Sequence, residues 1–525
     1  MFRRWGTNFF LSRFDSLENV VGDQRKLIVL ILLSTTLSIL PVGYHIIVLN
    51  VPAETIQNAI NQTLLREEGY LPSKGLMDFL WAFIVACQSI GALFGCLLLP
   101  PIQRSFGTKK ALMLVNNGIL LFSSFLLFMS FYVNTLFFLI AGRIMVGIYT
   151  GLGSALLPIF IQELAPKNIK GTLSCFVHIG VCAGSALGAL LSITWILGGP
   201  STWHLLLAIP AICGIIQIGT NYYIPDVPNY YLQRNDKARA AQAIKYYYSF
   251  EDFDDDVAIM EYKQLVTKTP NQVSFKEAFM DQKTREGIFL GMVVSASQIF
   301  SGSMAAVSYS TSMFTAVSFI SFLIPFVPTL GALFSILLTL PALRFVETCG
   351  RKELLINTMT LCAIANWLML IFSLLAEKMP DSYASIGFAM TFLLLGLGYN
   401  LGTGPVSYFI PGELVPPNAS GIALGCGVAI NWLCTMITNL IYYPLIEYTG
   451  GFSYLLFALP TTMSIILLYY KLPDNMINSK KSGELILTCN LSDYFENDDE
   501  TYGTFETSSA SSPQSSRPST ISRHI

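Results

Sequence analysis

Arg143, Glu163 and Glu413 are the residues of this chain most able to do chemistry, because each sits inside or beside a long apolar stretch. A charge in such a place is costly unless paired, so these three predict ion pairs or a polar relay rather than solvated surface. Metal chemistry is not indicated, since the four histidines (His45, His178, His204 and His524) are scattered and have no cysteine partners. Gly396-Leu-Gly398 with Gly402 and Gly404 has the outline of a nucleotide loop, yet it follows no strand and lies deep in apolar sequence. Backbone flexibility is the better account, and Pro405 and Pro411 add to it by removing backbone donors. Neither paired acids nor a nucleophile–base pair falls in adjacent stretches, so an enzyme is not expected. The long apolar stretches imply the lipid bilayer as a partner, with no cofactor, no metal and no nucleic acid expected.

The elements that hold these residues are set by hydropathy. Of 525 residues, 53% are hydrophobic and 12% charged, which excludes an ordinary soluble protein. A bilayer core of about 30 Å takes roughly 20 helical residues to cross. Twelve such stretches are predicted, near 27–51, 79–101, 111–133, 135–161, 172–197, 203–224, 286–314, 317–343, 353–376, 385–410, 421–446 and 452–471. The expected fold is therefore an all-α membrane protein of twelve transmembrane helices. With both termini in the cytoplasm, 27 of the 31 Lys and Arg fall on that side; Arg66, Lys74 and Lys378 lie outside and Arg143 lies within a span. That asymmetry supports the count and the orientation.

A repeat gives the organisation. Glu-Leu-Ala-Pro-Lys-Asn-Ile-Lys-Gly at 163–171 returns as Glu-Leu-Val-Pro-Pro-Asn-Ala-Ser-Gly at 413–421, each copy between two apolar stretches. Two related six-helix bundles, 27–224 and 286–471, are expected, with a solute site where they meet. A polar linker at 225–285 is predicted to form short cytoplasmic helices, with Ser274-Phe-Lys-Glu277 as a capping box. Residues 1–26 form a polar, basic cytoplasmic N-terminus ahead of a retained signal anchor, and 472–525 a disordered, Ser/Thr-rich cytoplasmic tail. Gly91/Gly95, Gly147/Gly151, Gly180/Gly184/Gly188 and Gly421/Gly425 have the spacing that lets helices approach closely. The ten cysteines fall in spans or cytoplasmic segments and predict packing rather than disulfides. Asn61-Gln-Thr63 is a glycosylation acceptor in the first outside loop, favouring a secretory-route membrane such as the plasma membrane.

Several short motifs, in order, resemble one family. They are Gly43-Tyr44 with Asn50 and Pro52, Gly142-Arg143, Glu163 with Lys170-Gly171, and Pro225-Asp226-Val-Pro228. Tyr309-Ser-Thr-Ser312, Glu347-Thr-Cys-Gly350-Arg351-Lys352, Gly402-Thr-Gly404-Pro405 and Asn431-Trp432 complete the set. Over 27–475 the chain resembles the sugar-porter branch of the major facilitator superfamily, most closely the animal facilitative glucose transporters, as a divergent member. The resemblance implies a mid-membrane substrate site, rocking of one half against the other, and a cytoplasmic latch of charged residues. The latch counterparts here are Arg143, Glu163, Lys170, Glu347, Arg351 and Glu413.

The same resemblance marks departures. Ser420, Arg104-Ser105 and Asn229 stand where the family has further latch charges, which predicts a population shifted toward the cytoplasm-open state. In the implied sugar site Gln298 remains, while Ile299, Met304, His178, Ser335, Asn400 and Tyr408 replace the family's Gln, Asn, Gln, Asn, Glu and Trp. Losing three or four hydrogen bonds at about 1 kcal/mol each disfavours glucose and favours a less hydroxylated or planar solute. His45 occupies the first-helix position that is Asn in facilitative members and Asp in proton-coupled relatives. Facilitated diffusion of a sugar or related polar solute is the leading expectation. Proton symport through His45 or Arg143 and a non-transporting nutrient sensor are the alternatives.

Overall fold

Helices follow one another along the chain because the apolar stretches are long and carry backbone groups that lipid cannot satisfy. The structure, a computed structural model, describes residues 25–473 except 68, 70, 134, 166–169, 233, 249–253, 266–272, 349, 380–382 and 417. The expected N-terminal segment and Ser/Thr-rich tail thus lie, apart from their innermost residues, outside the described residues. Among the described residues the regular structure is entirely helical.

The first four spans are Arg25–Ile47, Lys74–Phe106, Thr108–Met129 and Thr135–Leu164. Lys170–Leu191 and Trp203–Asn221 are the fifth and sixth. Gln282–Ala316, Val327–Thr348, Arg351–Lys378 and Ala384–Ser407 continue as seventh to tenth. The eleventh and twelfth, Ser420–Thr449 and Leu455–Lys471, are separated by a short turn at Gly450. Ten stretches are long and apolar enough to cross a membrane by themselves; one of these holds the last two helices, and Phe176–Leu191 adds a shorter apolar segment. Among the described residues this gives twelve helices where the sequence predicts twelve spans, eleven of them in stretches with the length and hydropathy of a span.

Small residues set the helix contacts, as expected for helices that lack a hydrophobic drive toward one another. A Cβ on Gly91 would sit 2.0 Å from the Ile144 carbonyl oxygen, and one on Gly147 2.2 Å from that of Gln88, so the second and fourth spans touch backbone to backbone. Gly184 makes the same approach to Leu40 in the first span. Gly425 does not: a Cβ there would meet nothing within 4 Å, which corrects the close contact predicted for the Gly421/Gly425 pair.

Between the two sets of six spans lie Lys237–Tyr248, Asp255–Leu265 and Phe275–Met280. The last begins with the predicted capping box, in which Ser274 and Glu277 satisfy each other's backbone donors. Tyr248 Oη donates to the Leu164 carbonyl at 2.7 Å and Tyr262 Oη to that of Glu163 at 3.1 Å. These tyrosines satisfy carbonyls that a helix C-terminus leaves unpaired. Burial pushes both hydroxyls far above the usual phenol range, so they stay neutral donors. On the other repeat, Val273 N donates to the Asn418 carbonyl at 3.3 Å. Both repeat copies therefore lie on one face, the linker face. The opposite, far face carries Ala53–Glu67, a helix whose Ile56 and Ile60 are fully buried.

Candidate functional site

A cavity of about 820 Å³ runs from mid-membrane to the linker face, where Arg351, Glu413 and Ser420 form its mouth. Eight of the sequence-predicted site residues line it: His178, Gln298, Met304, Ser335, Asn400, Tyr408, Asn431 and Trp432. They come from the fifth, seventh, eighth, tenth and eleventh spans, so both sets of six contribute.

Local backbone breaks place two of them. The tenth span changes to a π turn at Tyr399–Thr403, in which Gly404 N reaches the Tyr399 carbonyl. Pro405 supplies no N–H of its own, and the wider turn sets Asn400 into the cavity wall. The seventh span breaks at Gly302, whose φ of 88° is readily adopted only by glycine. The break leaves the Ser301 carbonyl to accept from Asn366 Nδ2 at 2.8 Å and ends the preceding helix just after Gln298.

Two polar networks result. Asn400 Nδ2 donates to Ser335 Oγ at 3.0 Å and to the Gly396 carbonyl at 2.8 Å. Its Oδ1 is thereby the acceptor facing His178 Nε2 at 3.3 Å, which fixes the Nε2–H tautomer. His178 Nδ1 remains a buried acceptor without a partner. Cys182 Sγ stands 3.7 Å from the same ring. In the second network Gln298 Nε2 donates to Tyr399 Oη at 3.2 Å and the Gly404 carbonyl at 3.3 Å, while its Oε1 accepts from Asn431 Nδ2 at 2.8 Å. His178 and Asn400 join the first six spans to the last six across the cavity.

Two predicted residues are elsewhere. Ile299 is 1% exposed in the core beside Gln298, because neighbours on a helix point about 100° apart. His45 is fully buried, neither ring nitrogen has a hydrogen-bond partner, and it is absent from the cavity wall. Its carbonyl accepts from Arg143 Nη1 at 2.9 Å.

The predicted latch is likewise split. Arg143 is not at the linker face: it is 1% exposed within the bundle, so burial among the second, fourth and eleventh spans corrects its assignment. Arg351 Nε pairs with Glu413 at 2.9 Å, within the last six spans. Glu163 is held at the end of the fourth span, where its backbone carbonyl accepts from Tyr262 Oη. The side chains of Lys170 and Glu347 lie outside the described residues.

Closure on the far face went unread in the sequence. In an α-helix Thr311 N–H would bond the Val307 carbonyl. Tyr309, at φ −133° and ψ 19°, breaks that ladder. Asn50, at the end of the first span, inserts its carboxamide: Nδ2 donates to the Val307 carbonyl at 2.8 Å and Oδ1 accepts from Thr311 N at 3.1 Å. Lys74 and Glu447 pair at 2.8 Å on the same face. Among the described residues this is an ion pair that joins the first six spans to the last six. Asn61 is part-exposed on the far-face helix, while the Thr63 hydroxyl of its sequon is buried and donates to Ala59 and Thr135.

Comparison with known proteins agrees with this geometry. The family model described as "Sugar (and other) transporter" matches residues 30–479. Facilitated glucose transporter member 4 of Mus musculus is 28% identical over 456 residues, covering 85% of this chain and 88% of the relative. Member 3 of Homo sapiens is 26% identical over 437 residues, covering 82% and 86%. In fold, the chain resembles the partially occluded inward-open xylose transporter XylE from E. coli, with a TM-score of 0.71, 20% identity, and coverage of 86% of this chain and 99% of that one. The proton:xylose symporter XylE bound to 6-bromo-6-deoxy-D-glucose gives a TM-score of 0.65 at 19% identity, covering 86% and 97%. With the family model spanning nearly all of the described helices, the chain belongs to the sugar transporter family of the major facilitator superfamily, as a multi-pass membrane transporter distantly related to the facilitative glucose transporters.

Proposed function

We propose that this transporter moves a sugar-like solute with few hydroxyls down its gradient, by rocking two six-helix halves (27–224 and 286–471) around the cavity. One observation carries the reading: the cavity is lined from both sets of spans, and its amides are already engaged with each other. Asn400 and Gln298 have their hydrogens committed to protein acceptors, so a many-hydroxyl hexose would have to break internal bonds to gain its own. A solute with an apolar or planar face suits Tyr399, Tyr408, Trp432 and Phe334 on the wall. His45, away from the cavity and sealed from water, supports uncoupled transport.

The linker face is read as cytoplasmic, from the Lys and Arg bias, with both termini on that side and the plasma membrane as the site of action. Asn61 is the proposed glycan acceptor, modified before its helix docks on Thr135; an endoglycosidase mobility shift abolished by Asn61→Gln tests it. The deciding experiment is counterflow in liposomes containing purified protein, with glucose, fructose, xylose and planar non-sugar solutes. Exchange for at least one solute, unchanged by an imposed proton gradient, is the expected result. Binding without counterflow for every solute would make the protein a sensor, and proton-driven accumulation would make it a symporter.

A further inference from the structure

Beneath the floor of the cavity, Ile46, Met304 and Trp432 also border a second and much smaller pocket, of about 10 Å³. Its polar walls are Gln88 and Ser89 of the second span, Arg143 of the fourth, Ser308 of the seventh, and Thr435 and Asn439 of the eleventh. Two of these residues carry orphaned atoms: Arg143 Nε, a donor, and Asn439 Oδ1, an acceptor. Both residues are deeply buried, at 1% and 4% exposure, and they belong to opposite sets of spans. An orphaned donor and an orphaned acceptor on one pocket cost stability unless something bridges them. A space of ~10–15 Å³ with polar walls is the size that takes one water.

We propose that a single water molecule binds here, accepting from Arg143 Nε and donating to Asn439 Oδ1, as a structural part of the closed far face. It would work beside the Tyr309 hydroxyl, which donates to the Asn439 carbonyl at 2.9 Å. The pocket is too small for a solute, so this water is distinct from whatever the cavity carries. Opening the far face would pull the fourth span from the eleventh and release it.

Two arms test the site separately. The first is a high-resolution structure of the full chain in nanodiscs with the far face closed. Ordered density within hydrogen-bonding distance of both orphaned atoms is expected, and a dry junction overturns the proposal. The second rests on the alternating-access reading and uses Cys87, fully buried and within electrostatic reach of Arg143, as the reporter. Its alkylation from the far side by a membrane-impermeant maleimide is followed by peptide mass.

Asn439→Leu removes the acceptor and should raise the rate roughly tenfold, as loss of a buried hydrogen-bond partner between two states does. Asn439→Asp should lower it, by giving the guanidinium a carboxylate. Equal rates in both variants, or a rise in both, would sink the role in closure even where density is present. Asn439→Ser serves if the leucine variant does not elute as a single species; it should give an intermediate rise, and no rise counts against the proposal. Replacing chloride by gluconate should change nothing. A chloride-dependent rate would make the occupant an anion and end the water assignment.

Discussion

Asn400 has its own hydrogens held by Ser335 and Gly396 and its carbonyl oxygen turned to His178. His178→Ala would leave the Asn400 carbonyl oxygen only the Cys182 thiol at 3.9 Å, and Gln298→Ala would leave Asn431 Nδ2 only the Ser295 carbonyl at 3.3 Å. Each is expected to reduce uptake of the transported solute about tenfold or more at normal surface abundance, checked by initial rates beside surface biotinylation. His178, Gln298 and Asn400 were legible because short motifs anchor their register. His45 and Ile299 were misplaced because these helices are apolar nearly all round, so spacing alone cannot say which side faces the cavity.

The seventh and tenth spans are where regular helix gives way, and both irregularities serve the cavity or its closure. Gly404 lies so close to His178 that a Cβ there would be 3.1 Å from the ring and 3.0 Å from the Tyr399 carbonyl. Gly404→Ala should push the ring off Asn400 and raise KM several-fold with little change in expression. Gly147→Ala tests a different contact, since its Cβ would lie 2.2 Å from the Gln88 carbonyl. Overpacking of that kind costs about 1–3 kcal/mol and should lower the melting temperature of the purified protein. The Gly-Pro pattern foretold flexibility in the tenth span. A π turn is a finer statement, because it depends on which carbonyl the missing Pro405 donor leaves free and what Gly404 then reaches. The Asn50 insertion was beyond sequence reading, as its partner Ser310 is 260 residues away.

Across the whole molecule, among the described residues, Arg351 and Glu413 pair within the last six spans on the linker face, while Lys74 and Glu447 bridge the two sets on the far face. The cavity mouth at Arg351, Glu413 and Ser420, together with the pair across the far face, suits a resting state open on the linker side. Thiol labelling of single cysteines placed at Ser420 and Gln57 should favour Ser420, and the reverse preference would contradict it. Twelve helices and the position of the repeat were readable because hydropathy and charge bias act over long windows. The missing latch charges predicted a bias toward the cytoplasm-open state, but a far-face pair such as Lys74 with Glu447 was not readable, since it depends on how the two sets of spans pack.

The carboxamide of Asn50 stands in for a rung of the seventh helix, so withdrawing it would not leave Val307 and Thr311 wanting: they would find each other. Of what the two halves surrender on parting, the helix recovers this rung by straightening, while the bonds of Asn50 to Ser310 and to the Thr311 hydroxyl are given up. Asn50→Ala should consequently change global stability by no more than about 1 kcal/mol while shifting far-side labelling upward. A carrier of the proposed passive kind must let its two faces take turns without fuel, and the recovered rung offsets part of what tilts that seesaw.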